Sequence, residues 1–168
     1  MNDPSQAAEL LLECHGRIRT FLATARRLAE AADPPPEQVA DAARAVHRYF
    51  TQALPLHAED EERSVLPRLR GHDAALDAAL AAMAAEHAEH QARLGDLTAA
   101  CAALAAEPAR HRELGPSLLG TVSWLEAHFR DHLGAEEALV LPGMRRWLTP
   151  AEDAAIVAEL RRRRAAPT

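Results

Sequence analysis

An all-α fold, specifically an up-down-up-down four-helix bundle with a short C-terminal fifth helix, is predicted by three features of the chain. Hydrophobic residues make up 48% of its 168 positions but aromatic residues only 4%, and Ala is abundant while Val, Ile, Thr and Tyr are scarce. That composition favours closely packed helices over sheet. Apolar residues recur in steps of three and four through four long stretches, and Pro or Gly clusters separate those stretches. The length favours a single domain over 1–168, with a core bundle over about 4–145 and a C-terminal helix over about 149–165.

Each element follows from local signals. Asp3-Pro4 reads as a cap with Pro at a first helical position, and Leu11, His15, Ile18, Leu22, Ala25 and Ala29 form the first seam. The run from Asp33 to Glu37 breaks the chain. A second seam passes through Val39, Ala43, Val46, Phe50, Leu54, His57, Glu61 and Val65, with a kink expected at Pro55, or a split of the helix there, and an end at Pro67. After Gly71 and a capping Asp73, a third seam runs from Leu76 through Leu80, Met83, His87, His90, Leu94, Leu97 and Cys101 to Leu104. The segment from Glu107 to Pro116 reads as a loop. The fourth seam is Leu118, Val122, Leu125, Phe129, His132, Glu136 and Leu139, stopped by Pro142-Gly143. Thr149 and Glu152 form a capping box that opens the fifth helix, and Arg161 to Arg164 read as its solvated C-terminus, favoured by the helix dipole.

Composition also excludes functions. A formal net charge of −6 gives no general attraction for nucleic acid or anionic lipid. No apolar run approaches the roughly 18 residues of a membrane span. Cys14 and Cys101 stand apart, outside any paired motif, and the N-terminal segment lacks the basic start of a secretory leader; together they predict a cytoplasmic protein.

The functional signal is a set of polar residues on the apolar seams. "HAEDEERSVLP" from His57 and "HLGAEEALVLP" from His132 both read His, three residues, Glu-Glu, two residues, Val-Leu-Pro. Residues four apart share a helix face about 6 Å apart along the axis, so His57 with Glu61, and His132 with Glu136, each aim at a common point. His15, His87 and His90 fall on the other two seams. Burying an uncompensated carboxylate costs several kcal/mol, and imidazoles need their nitrogens satisfied, so this set cannot simply stand in for Leu. Two divalent cations bridged by carboxylates would compensate it, and mixed His/carboxylate donors suit iron, manganese or zinc. Candidate ligands are therefore His15, His57, Glu61, His87, His90, His132 and Glu136.

The halves repeat. His57 follows His15 by 42 residues and His132 follows His87 by 45, and matching His15 to His87 places Leu11 on Met83, Ile18 on His90 and Leu22 on Leu94. His90 breaks this symmetry, so one metal gains an extra imidazole and the other keeps an open position. Glu86 is a weaker alternative ligand. His128 reads as a neighbour of the ligands, and Glu62 and Glu137 as outer-face groups or ligand neighbours. His47 lies roughly 15 Å along its helix from His57, too far for the same ion. His72 and His111 read as loop residues.

Over roughly residues 8 to 145, "ECHGRIRTFL", "HAEDEERSVLP", "AEHAEHQARL" and "HLGAEEALVLP" make the chain resemble the hemerythrin-like, HHE cation-binding family. The resemblance implies a non-haem centre of two iron ions with an oxo or hydroxo bridge. In it His15, His57, His87 and His132 are terminal ligands and Glu61 and Glu136 bridge. The pattern differs from the oxygen-carrying hemerythrins, which have His-x3-His on the third helix and end in His-x4-Asp. The expected role is binding or reduction of a small ligand: dioxygen, peroxide or nitric oxide. A di-iron oxidase or oxygenase acting on an organic substrate, and a metal or oxygen sensor working through a protein partner, are the rival expectations; if an enzyme, the protein would be a peroxidase-like, catalase-like or oxidase di-iron oxidoreductase.

Overall fold

The computed structural model describes residues 5–165. The all-α class expected from the composition is observed, with five helices and no strand among the described residues. They are α1 (Gln6–Glu30), α2 (36–69), α3 (Ala74–Ala106), α4 (111–147) and α5 (Pro150–Ala165). No helix among the described residues is long and apolar enough to cross a membrane.

The caps explain where helices start. Asp3-Pro4 lies outside the described residues; at α1 the Ser5 hydroxyl accepts from the Ala8 N–H at 3.1 Å. Asp153, in the first turn of α5, accepts from the Ser5 hydroxyl at 2.5 Å and from the Gln6 N–H at 3.1 Å, so one carboxylate satisfies the opening turn of another helix. Asp73 caps α3 through the Ala75 and Leu76 N–H groups, at 2.9 and 3.1 Å. The Thr149/Glu152 capping box forms as expected, with the Thr149 N–H donating to Glu152 at 2.9 Å and the Glu152 N–H to the Thr149 hydroxyl at 3.3 Å.

The prolines correct the expected ends. Pro67 and Pro142 do not stop their helices, which continue to Leu69 and Trp147. Each of three Leu-Pro pairs follows a five-residue π-helical turn: Tyr49–Ala53, Glu61–Val65 and Glu136–Val140. In each, the Leu N–H donates to the carbonyl five residues back: Leu54 to Tyr49, Leu66 to Glu61, and Leu141 to Glu136. A proline ring clashes with the carbonyl four residues before it and offers no N–H, and widening the preceding turn by one residue relieves both problems without ending the helix. The kink expected at Pro55 is therefore a widened turn in a continuous helix.

The loop expected over 107–116 is also shorter than read. Pro108–Arg110 forms a 3₁₀ turn and α4 begins at His111, with Pro116 inside its early turns. His111 is not a free loop residue: its Nε2–H donates to the Leu28 carbonyl at 2.6 Å, satisfying one of the C-terminal carbonyls of α1. His72 does lie in the turn before α3, stacked on Trp147 with ring centroids 5.0 Å apart.

Two compact units share these helices. The first comprises the chain up to Gly16, Pro55–Ala88 and the chain from Asp131. Its core holds Leu11, Val65, Leu69, Leu80, Met83, Leu141 and Met144, together with Ile156, Val157 and Leu160 of α5. The fifth helix thus completes a core. Close approach is needed at Gly143, where a Cβ would sit 3.0 Å from the Leu76 side chain. The second unit comprises Arg17–Leu54 and Glu89–Arg130; it buries Ile18, Leu22, Val46, Phe50, Leu97, Leu104, Val122 and Leu125, and stacks Phe21 on Tyr49 at 4.1 Å. Cys101 is fully buried there, and burial pushes its thiol up to about 12, so it acts as a small hydrophobe.

Asp153→Ala is expected to cost about 1–2 kcal/mol by removing the cap on α1. Urea denaturation of the two proteins checks this; an unchanged midpoint would show that the Asp153 contacts contribute nothing.

Candidate metal centre

Of the candidate ligands, all but His90 lie in the first unit, and their pairing follows helical spacing. His57 Nε2 lies 3.2 Å from Glu61 Oε1, and His132 Nε2 lies 3.2 Å from Glu136 Oε1, each pair one helical turn apart. The two carboxylates then reach across. Glu61 Oε1 is 3.8 Å from His15 Nε2, while Glu61 Oε2 is 3.2 Å from His87 Nε2. Glu136 Oε2 is 3.2 Å from His15 Nε2. Each Glu therefore presents one oxygen to the His15/His57 side and the other to the His87/His132 side. The rings pair likewise edge to face, with centroids 5.3 Å apart for His15 and His57 and 5.0 Å for His87 and His132.

Donor atoms converge in two groups, within each of which they lie no more than 4.8 Å apart: one from His15, His57, Glu61 and Glu136, the other from His87, His132 and Glu136. The cluster is dry. His15 is 0% exposed, Glu61 and Glu136 2%, and His57 and His132 3%. Among these buried atoms His15 Nε2, both His57 nitrogens, Glu61 Oε2 and both Glu136 oxygens have no hydrogen-bond partner. Buried polar atoms are almost always satisfied, so converging donors left open at the same place fit a cation.

The electrostatics agree. Burial works against charge on His15, but the Glu136 and Glu61 carboxylates outweigh it and push the imidazole up to about 10. His87 is likewise opposed by burial and raised by Glu61, up to about 9. Burial pushes His57 down to about 4. Glu61 is penalised by burial, yet the surrounding imidazoles, His57 first, hold its carboxyl well below the usual range. Burial and then the neighbouring Glu61 charge push Glu136 up. The two carboxylates thus draw positive charge to the point where the imidazoles converge.

The second Glu of each doublet has its own task. Glu137 Oε1 lies 3.0 Å from His15 Nδ1, and Glu62 Oε1 lies 2.8 Å from His87 Nδ1. Glu86, read from the sequence as a weaker alternative ligand, instead places Oε2 2.6 Å from His132 Nδ1. A carboxylate on Nδ1 fixes the tautomer with a proton there, turns Nε2 toward the centre and raises its basicity. His57 differs, since its Nδ1 has no such hydrogen bond.

His90 is buried, at 2% exposure, but belongs to neither donor group. It lies in the second unit with its ring 4.5 Å from Phe129 and 6.1 Å from Trp124. The matched position is Ile18, which is equally buried, so this site in the repeat is apolar in character and the imidazole packs among aromatic rings. His128, expected beside the ligands, donates from Nδ1 to the Trp124 carbonyl at 2.8 Å and stacks on that indole at 3.5 Å.

One important residue escaped the sequence reading. Asp60 is 0% exposed and is clamped by two residues of the terminal Arg run: Oδ1 to Arg163 Nη1 at 2.6 Å and Oδ2 to Arg164 Nη2 at 2.7 Å. Arg163 also donates to the Ser64 hydroxyl at 2.8 Å. Arg68 binds Glu159 through both guanidinium ends, at 3.0 and 2.7 Å. These contacts strap α5 to the stretch of α2 that carries Glu61. The run is therefore not simply a solvated terminus; an Asp one residue before a candidate ligand was the signal available in the sequence.

A centre of this kind defines a cation-binding helical protein. The hemerythrin HHE cation-binding domain matches residues 6–142, and the chain belongs to that family. A comparison with curated proteins returned no match. The match ends before α5, so the Asp60 clamp is supplied from outside it.

Two outcomes follow from this geometry. Replacing both Arg163 and Arg164 by Ala leaves Asp60 buried without a cation and is expected to cost about 3–5 kcal/mol, read as a shift in the urea midpoint; a wild-type midpoint would contradict the clamp. Uptake of a divalent cation on the Nε2 atoms must displace the protons of His15 and His87, whose raised pKa values keep them charged at neutral pH. Affinity should then fall as pH falls, and the calorimetric enthalpy of zinc uptake should differ between two weakly zinc-binding buffers of different ionisation enthalpy, such as Pipes and Aces. Equal enthalpies in the two buffers would show that no protons leave.

Proposed function

We propose that the chain holds a non-haem pair of iron ions and binds or reduces a small ligand of the class of dioxygen, peroxide or nitric oxide. The observation that carries this reading is the position of Glu61, with one oxygen 3.2 Å from His57 Nε2 and the other 3.2 Å from His87 Nε2. A carboxylate so placed serves two ions. His15, His57, His87 and His132 would be the terminal donors, Glu61 and Glu136 the bridges, and manganese or zinc possible substitutes for iron. Bound there, the metal pair would supply redox chemistry shared between two ions.

The chain's own residues set the character of that chemistry. Four neutral imidazoles and two carboxylates make a donor set with less negative charge than the four-carboxylate sites of other di-metal bundles. Neutral donors stabilise high oxidation states less, which favours exchange or reduction of a small ligand over attack on a strong C–H bond. Glu137, Glu62 and Glu86 hold Nδ1 protons of three imidazoles and so keep Nε2 available as a donor. Both carboxylates are themselves buried, at 2% exposure.

Reconstituted protein is expected to hold about two iron equivalents, and Glu61→Ala and Glu136→Ala to hold fewer, because losing a bridge removes a donor from both ions. Elemental analysis decides: one equivalent in the wild type, or unchanged content in both variants, would defeat the reading. For the ligand, reduced iron-loaded protein is mixed anaerobically with oxygen, peroxide or nitric oxide in separate samples. A change in the visible spectrum with at least one supports the proposal, and inertness to all three overturns it.

A further inference from the structure

We infer that the first unit carries a binding pocket for one small, uncharged, apolar organic molecule, about the size of a single aromatic ring, against the His132/Glu136 flank of the donor cluster. The pocket has a volume of about 290 Å³ and lies between α3 and the π-helical turn of α4. Ala78, Ala79 and Ala82 form one wall, Met83 lies at its buried side, and Leu139 and Val140 form the other wall. Its floor is formed by His132 and Glu136, with the Glu86 side chain 41% exposed at the rim.

Three observations carry the inference together. The first is the wall chemistry. Small side chains at 78, 79 and 82 leave a hollow where Leu would close the surface, and Leu139 remains 43% exposed beside it. An exposed large apolar residue lining a concave apolar wall marks a place where an apolar molecule is sheltered from water.

The second is the floor. Glu136 is 2% exposed, lines the pocket and has no hydrogen-bond partner on either oxygen. It connects the hollow to the donor cluster, so an occupant sits beside the centre and not merely on the surface.

The third is the size and charge of what fits. A cavity of about 150 Å³ lined by apolar side chains suffices for benzene, so about twice that volume takes a substituted ring but not a peptide segment of several residues. Dioxygen, peroxide and nitric oxide leave most of it empty. Carboxylates at 86 and 136 repel an anion. They also offer little to an organic cation, because Glu86 is engaged by His132 Nδ1 at 2.6 Å and Glu136 faces the Nε2 atoms of His15 and His132, each at 3.2 Å. The apolar walls, which give the hollow nearly all of its surface, therefore select an uncharged apolar occupant.

The inference rests on the proposed metal centre only for the identity of what lies beneath the occupant; the pocket itself is made by the chain. The probe is toluene, titrated into zinc-loaded and metal-free protein carrying labelled Ala and Met methyl groups, and followed by carbon–proton correlation spectra. Saturable shifts centred on the Met83, Ala79 and Ala82 methyls are expected. Ala82→Phe, at an exposed helical position, fills the pocket and should weaken toluene at least tenfold with zinc content unchanged. Ala78→Leu provides a second filling variant, expected to weaken it by a smaller factor. No saturable shift, or wild-type affinity in Ala82→Phe and Ala78→Leu, overturns the inference. Zinc stoichiometry, measured on the same samples, separates failure of the pocket from failure of the centre.

Discussion

Two carboxylates buried side by side among imidazoles are the constraint on which the rest of this structure depends. Glu61 and Glu136 are each 2% exposed, and neither has a neutral environment that would tolerate it as a lone charge. Everything near them serves to compensate or to aim them. Helical spacing sets His57 and His132 one turn before them, and α1 and α3 bring His15 and His87 to their far oxygens. Both carboxylates open a π-helical turn, and both turns close before a Leu-Pro pair. The proline that reads as the end of each helix in the sequence instead follows a turn that opens at Glu61 or Glu136, a placement that fits the frequent use of π-bulges at functional sites.

The doubled Glu-Glu in each motif divides two tasks. The first Glu faces inward between the imidazole pairs; the second turns to the Nδ1 of an imidazole on another helix, Glu62 to His87 and Glu137 to His15. The repeat then breaks in an informative way. Glu86, one residue before His87, holds His132, whereas the matching position before His15 is Cys14 and His57 Nδ1 has no hydrogen bond. The two halves therefore differ in the negative charge behind their imidazoles, and the pocket adds a second difference, because it abuts His132 and not His57. His90 falls outside both donor groups, and the asymmetry visible among the described residues lies in the groups behind the imidazoles and in access to one flank.

Much of this was legible in the sequence because the period of an α-helix is strict. Leu11, His15 and Ile18 on one seam, and Met83, His87 and His90 on another, are all buried or nearly so, and the matched pairs Leu11/Met83 and Ile18/His90 are buried alike. What a single-helix period cannot carry is direction across helices. His90 shares a seam with His87, yet a step of three residues turns it toward Phe129 and Trp124. Glu86 lies beside the seam and reaches His132, 46 positions away in the chain. Asp60 faces the back of the ligand-bearing helix, and its partners Arg163 and Arg164 lie about a hundred residues on in a run that looks like ordinary surface charge. Proline was misread for a local reason: a rule for α-geometry does not anticipate a π-helical turn.

The central claim is that Glu61 and Glu136 hold two ions between two imidazole pairs. Anomalous diffraction from crystals of iron-loaded protein, recorded on either side of the iron edge, measures this directly. The account predicts two peaks about 3.5–4 Å apart, one against His15 and His57, the other against His87 and His132, with both carboxylates between them. A single peak, or density at His90 and His128 in place of this pair, would contradict it.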